Sequence, residues 1–289
     1  MQYQVTHTTN YEYSEPVLLC QNLAHLTPRS VAEQQCWLSD LSITPQPAVM
    51  SNRIDYFGNP ATFFTVQEPH RQLMLTASHL VEVLVRPPPA PAPPWELVRD
   101  QLLIDRTPAV LDAFQFAFGS RYAQPSAELS EYALTSFGAG RPLLEAVLEL
   151  TKRIHSDFVY DPKATTVATP LHEVFARRRG VCQDFAHLQI ACLRSLGLAA
   201  RYVSGYLCTN PPADQPRLIG ADATHAWLSV FCPGQGWIDV DPTNDQVPVD
   251  KHILLAWGRD YDDVSPIKGV ILGGGQHVVK VGVHVNCLQ

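Results

Sequence analysis

Three residues, in the chain order Cys182, His225 and Asp241, bring a thiol, a base and an acid that can orient the base. That is the set nucleophilic acyl transfer needs. Cys182 lies in Arg177-Arg-Arg-Gly-Val-Cys-Gln-Asp-Phe-Ala-His-Leu-Gln-Ile-Ala-Cys-Leu-Arg-Ser-Leu-Gly197. Val181, Phe185, Leu188, Cys192 and Leu196 recur at helical spacing as one apolar stripe, and Gly197 stops it. With Gly180 as an acceptable cap, the helix is predicted to begin near Cys182. The thiol then sits in the first turn, where unpaired N–H groups and the helix dipole favour an anion. Arg177, Arg178 and Arg179 would add positive potential from just upstream. Taken alone, Cys182 reads equally well as a buried core thiol. The partners shift the balance.

His225 opens a run in which Ala226, Leu228, Val230 and Cys232 alternate with His225, Trp227, Ser229 and Phe231. In the next run Ile238 and Val240 alternate with Trp237, Asp239 and Asp241. Pro233-Gly-Gln-Gly236 between them makes the pair a predicted hairpin. A two-residue turn at Gly234-Gln235 would leave His225 and Asp241 three positions out of register, roughly 10 Å at about 3.3 Å per residue. A bulge or a different turn has to close that gap. Asp239 and Asp241 share a face, so alternation does not choose between them.

Arg-Gly-Val-Cys182-Gln-Asp-Phe-Ala, Thr-His225-Ala-Trp and Gly-Trp-Ile-Asp-Val-Asp241-Pro-Thr resemble the three core motifs of the transglutaminase-like superfamily, in order and in spacing. The resemblance implies a papain-like fold with a Cys182–His225–Asp241 triad. The aspartate before Pro-Thr is the triad acid in that family, hence Asp241 rather than Asp239. The N-terminal stretch and Gly258-Arg-Asp-Tyr-Asp-Asp-Val-Ser-Pro266 are similar to bacterial members with an extra N-terminal domain. An aromatic or amide donor upstream of the cysteine often completes the oxyanion hole in relatives. That makes Tyr160 a candidate, with the backbone N–H of Gln183 as a second. The calcium dependence of some animal relatives is not carried over, because no acidic cluster supports it. No metal or cofactor is expected.

The elements that must position these residues are read from the rest of the chain. At 289 residues, one large or two modest domains are expected. Hydrophobic content of 46% with 17% charged residues suits a soluble globular chain, and a net charge of −7 argues against nucleic acid as the main partner. The N-terminus has no basic segment followed by an apolar run, and no run is long enough to span a membrane. The seven cysteines are scattered, without a Cys-x-x-Cys pair, so a zinc site is not expected and a cytoplasmic, reduced protein is.

Residues 1–85 read as an antiparallel β-sandwich of short strands, including Cys36–Ile43, Ala61–Val66 and Leu73–Val85. Arg86-Pro-Pro-Pro-Ala-Pro-Ala-Pro-Pro-Trp95 is the domain boundary, read as an ordered, stiff linker. Residues 96–289 then form the catalytic core, so the fold class is α+β. Helices are expected over Leu97–Ile104, Pro108–Phe118, Ala127–Phe137, from Pro142 to near His155, and over Leu171–Arg178. Phe114, Phe116 and Phe118 read as core, with one ring as an option for a substrate groove. Ala164–Thr169 is a polar loop that runs towards the cysteine helix and is placed at the cleft border. His187, about 140° round the helix from Cys182, reads as a core histidine. A strand at Ala199–Cys208, the loop Asn210–Gly220, a segment Ile253–Gly258, a glycine turn at Gly273-Gly-Gly275 and a final strand Val278–Val285 complete the reading.

The chemistry expected is thiol-dependent acyl transfer on amide bonds through a thioester. Water as acceptor makes a cysteine protease or amidase, and an amine makes a protein-glutamine transglutaminase. A binding scaffold on a retired enzyme fold is the reading from another class. The expected partner is a peptide or amide, protein-borne or free. The N-terminal domain is read as a module that recruits substrate or forms a homodimer.

Overall fold

The computed structural model describes residues 1–209 and 224–288. The N-terminal part is organised by one long strand, β1 (Gln2–Ala24), in which alternate residues such as Tyr3, Val5, His7 and Thr9 are buried. Four strands follow: β2 (Gln34–Thr44), β3 (Val49–Ile54), β4 (Pro60–Val66) and β5 (His70–Val83). The first half of β1 pairs with β5, and β5 with β2. Its second half pairs with β4, and β4 with β3. The register shifts between Glu12 and Val17, so β1 serves two halves of one antiparallel sheet. Ile43, Phe64, Val66, Leu73, Leu75 and Cys20 share one core between those halves.

The other edge of β1 is filled from the far end of the chain. β12 (Ile267–Gly273) pairs with its second half and β13 (His277–Cys287) with its first. The expected unit 96–289 therefore gives up its last strands to the N-terminal sheet. A strand of this length leaves a row of unpaired backbone groups unless both edges are occupied. The turn that reverses β12 into β13 uses Gly273, Gly274 and Gly275, at φ +91°, +87° and +61°, so the glycine run is the turn it was read as.

Between these segments lie α1 (Trp95–Ile104), α2 (Pro108–Phe114), α3 (Ala127–Leu134), α4 (Leu143–Asp157), β6 (Val159–Tyr160), α5 (Leu171–Arg177), β7 (Arg179–Gly180) and α6 (Cys182–Ser195). β8 (Ala200–Leu207), β9 (His225–Cys232), β10 (Gly236–Val240), β11 (His252–Gly258) and α7 (Tyr261–Val264) follow. The expected helix to Phe118 is shorter, because the chain tightens into a 3-10 turn at Gln115–Ala117. Phe116 is core and Phe118 is exposed.

The second sheet is antiparallel, in the order β10-β9-β8-β11. Leu228 and Val230 of β9, Tyr202 of β8 and the apolar residues of α6 lie in one core. Tyr3, Val5, Val81, Val83, Val283 and Val285 of the N-terminal sheet belong to that same core, so packing crosses the compositional boundary. The exposed edge of β11 is closed by two amide side chains that imitate a backbone. Gln34 donates to Leu254 O at 2.8 Å and accepts from Leu254 N–H at 2.7 Å. Asn59 does the same with Trp257, at 2.9 and 3.0 Å. The proline segment is held as well: Gln235 Nε2 donates to Ala90 O at 3.1 Å and Leu143 N–H to Pro93 O at 2.9 Å.

Candidate active site

Cys182 is the first residue of α6 and is 8% exposed. The helix is started by its own third residue. Asp184 Oδ2 accepts the Val181 N–H at 2.9 Å and the Thr165 hydroxyl at 2.6 Å. Val181 therefore occupies the cap position that was expected for Gly180. Gly180 has another reason to be glycine: a Cβ there would stand 2.6 Å from Asp184 Oδ2. The Asp184 carboxyl is raised by burial, which the donors Thr165 and Val181 oppose. Thr165 belongs to the polar loop before α5, so that loop is tied to the cysteine helix as expected.

Of the three arginines upstream, two are paired with carboxylates of their own and the third lies on an aromatic ring. Arg177 pairs with Glu173 at 2.6 Å and Arg179 with Asp161 at 3.4 Å. Arg178, at φ +52°, ends α5 and lays its guanidinium over Phe175 at 4.2 Å.

The hairpin that carries the histidine resolves the register. Cys232 pairs with Gly236 and Leu228 with Val240, so the turn has three residues rather than two. Gly234 and Gly236 take φ +83° and +80° to make it. The extra residue sets Asp241 opposite Trp227, on the same face as His225 and one diagonal step away. His225 Nε2 then donates to Asp241 Oδ2 at 2.8 Å. Both side chains are fully buried. Asp239 is held elsewhere, by Arg86 and the Ser229 hydroxyl. Of the two aspartates, Asp241 is thus the one that meets His225.

Burial alone would lower the pKa of His225. The charge and hydrogen bond of Asp241, with a contribution from the adjoining Cys182 thiol, outweigh it and push it up to about 10. Burial would raise the Asp241 carboxyl, but His225 and His252 hold it well below the usual carboxylate range. Among the described residues, His225 Nδ1 is buried and has no oxygen or nitrogen partner.

A third side chain, absent from the sequence reading, joins the pair. His252, the first residue of β11, lies with Nε2 3.0 Å from the same Asp241 oxygen. Burial lowers its pKa, and the bond to Asp241 opposes the shift. Its only sequence signal was a polar residue in front of the apolar run Ile253–Gly258. The β8–β11 pairing, which sets its place, could not be read without the sheet order. The ligand atoms of His225, Asp241 and His252 lie within 4.8 Å of one another, as a metal site would require. Both Nε2 atoms, however, are at hydrogen-bond distance from one carboxylate oxygen, so the grouping is complete as a proton-bonded set.

The oxyanion candidates are both near the start of α6. Tyr160 pairs with Gly180 in the short parallel β6–β7 ladder, and its ring lies 6.5 Å from that of Phe185. Gln183 is the second residue of α6, where a backbone N–H has no partner within the helix. His187 is buried between Tyr122 and Tyr202 and accepts the Tyr261 N–H at 3.1 Å. Burial pushes it down to about 3, so it is a neutral core histidine. A cleft of about 430 Å³, lined by Tyr122, Leu129, Thr169, Pro170, Leu171 and Phe175, lies where the 164–170 loop enters α5. The loop Asn210–Gly220 falls outside the described residues.

Two family models match the chain: the bacterial transglutaminase-like N-terminal region over residues 3–82, and the transglutaminase-like superfamily over residues 132–242, which include Cys182, His225 and Asp241. An uncharacterized protein of Mycobacterium tuberculosis is 44% identical over 98% of this chain and 92% of its own length. One from Mycobacterium leprae is 33% identical over 99% and 98%. A protein-glutamine gamma-glutamyltransferase of Pseudomonas aeruginosa is 35% identical over 32% of this chain and 14% of its own. The solved structure titled a "Putative Cysteine Protease" from Cytophaga hutchinsonii superposes with a TM-score of 0.77 at 23% identity, covering 100% of this chain and 91% of that one. With the fold, the order of the motifs and these matches in agreement, the chain belongs to the transglutaminase-like superfamily.

Proposed function

We propose that the protein is a thiol-dependent acyl-transfer enzyme acting on amide bonds, with water as its usual acceptor. The observation that carries this reading is the placement of His225: one nitrogen bonded to a buried carboxylate, and the ring beside the thiol at the start of α6. Cys182 gives its thiol proton to His225 Nδ1, and its sulfur attacks the amide carbonyl to form a carbon–sulfur bond. The imidazolium of His225 gives its Nδ1 proton to the departing amine as the carbon–nitrogen bond breaks, leaving a thioester. Neutral His225 then takes a proton from water as the water adds to the thioester carbonyl, and returns it to the sulfur as the carboxylic acid leaves. Asp241 stays ionised throughout and fixes the ring. Backbone N–H groups at the start of α6, with Tyr160 nearby, are the proposed oxyanion donors. One such donor is worth about 3 kcal/mol in systems where it has been removed. The cleft beside Tyr122 and Phe175 is proposed to take part of the peptide. Because the cycle needs a reduced Cys182, residence in the cytoplasm is part of the proposal.

Similarity to the Pseudomonas glutamyltransferase favours a second outcome of the same intermediate, in which an amine rather than water resolves the thioester. Incubation with a glutamine peptide and a labelled amine, scored by mass spectrometry, separates the two. Deamidation or chain cleavage supports hydrolysis, and amine incorporation supports transfer. Neither product over a broad peptide library, with the C182A variant equally silent, contradicts the proposal.

A further inference from the structure

We infer that His252 is a positioning residue of this reaction: its Nε2–H shares Asp241 Oδ2 with His225 and holds the carboxylate at the angle the catalytic imidazole needs. The inference rests on the thioester reading above. Among the described residues, Asp241 accepts five hydrogen bonds. Oδ1 takes the N–H groups of Thr243 at 2.9 Å and Asn244 at 3.3 Å. Oδ2 takes Asn244 Nδ2 at 2.8 Å, His225 at 2.8 Å and His252 at 3.0 Å. The Thr243 and Asn244 donors come from the turn that Asp241 itself begins, so they move with it. His252 comes from β11, at the opposite edge of the β10-β9-β8-β11 sheet. Besides the catalytic ring of His225 on β9, it is the donor among the described residues that ties the carboxylate to the rest of the sheet.

The surroundings suit that task. The His252 ring meets Trp227 edge-on at 5.0 Å, while Trp227 stacks on His225 at 6.0 Å. Gly205, which pairs with His225, leaves room for this group. A Cβ there would lie 2.1 Å from Ile253 O and 2.4 Å from the Trp227 ring. Among the described residues, the buried His252 Nδ1 has no hydrogen-bond partner, which suits a neutral ring. A neutral donor orients the carboxylate without cancelling its charge, so the full charge remains for His225.

The test uses the full chain and needs no substrate. Cys182 alkylation by iodoacetamide is timed in wild type, H225A, H252L and H252Q, while the imidazole N–H resonances are followed by NMR in histidine-labelled protein. Gln places an N–H near the position of Nε2, and Leu removes it. We expect H225A and H252L each to slow Cys182 at least tenfold, and H252Q to stay within about threefold of wild type, with the His225 N–H resonance kept in H252Q and shifted or lost in H252L. If H252L does not fold, the comparison is H252Q against H252N, whose amide is too short, with the same tenfold gap expected. Wild-type alkylation in H252L or H252N with a slow H225A overturns the role of His252 and leaves the nucleophile reading standing. Wild-type rates in H225A as well overturn both.

Discussion

Asp241 Oδ2 lies 2.8 Å from His225 Nε2, although the two residues are a diagonal step apart in the β9–β10 hairpin rather than directly opposite. The three-residue turn makes this possible, because it puts both side chains on one face. With a two-residue turn, Asp241 would stand opposite Leu228 and point the other way. Removing the charge while keeping the shape isolates what the pair does. D241N is expected to fold and to lose on the order of 10³–10⁴ in turnover of any amide substrate found, by favouring the wrong imidazole tautomer. Steady-state kinetics on wild type and D241N check this.

The start of α6 depends on Gly180 and Asp184. A methyl group at position 180 would drive into the Asp184 carboxylate, so G180A must displace the cap or the helix start. D184A would lose the bonds from Val181 and Thr165 and is expected to cost about 1–2 kcal/mol. Urea titrations measure both costs. G180A is further expected to lower the reactivity of Cys182 more than its stability loss explains.

The amide side chains on the edge of β11 bind the two sheets together. N59L would leave the N–H and C=O of Trp257 unpaired in a part-buried setting, and Q34L those of Leu254. Each is expected to destabilise the fold by about 2–4 kcal/mol, as unmet buried backbone groups do. Equilibrium denaturation checks the size of the effect.

The pH dependence of stability has a definite sign on each side. His225 is raised in the folded state to about 10 from an ordinary 6.5. Its contribution is therefore complete below pH 6.5 and is lost as pH rises towards 10. D241N removes the cause, so it should not show that alkaline loss. On the acid side, burial holds His7 and His79 down at about 4 and His187 at about 3. The unfolded chain binds protons that these rings refuse, so stability falls as pH drops from 6.5 towards 4. Urea midpoints across this range, for wild type and D241N, test both signs.

Much of the site was legible because its parts are local. The α6 stripe from Val181 to Leu196, the alternation of His225–Cys232 and the Asp241-Pro-Thr motif each follow from residues close in sequence. The turn length was not legible, because Pro233-Gly-Gln-Gly236 is compatible with more than one loop, and one residue decides which face Asp241 takes. His252 was missed because it reaches the site only through the pairing of β11 with β8. β12 was missed, and the pairing of β12 and β13 with β1 was not read, for the same reason: β1 recruits them across the whole length of the chain, and no local pattern records that.

The central claim is that His225 makes the Cys182 sulfur reactive. Mapping iodoacetamide labels by peptide mass spectrometry in wild type and H225A tests it most directly, since Cys182 is 8% exposed and Cys287 is exposed. The account predicts that Cys182 labels at least tenfold faster than Cys287 in wild type and loses that lead in H225A. Labelling of Cys182 no faster than Cys287, or equally fast in H225A, would contradict it.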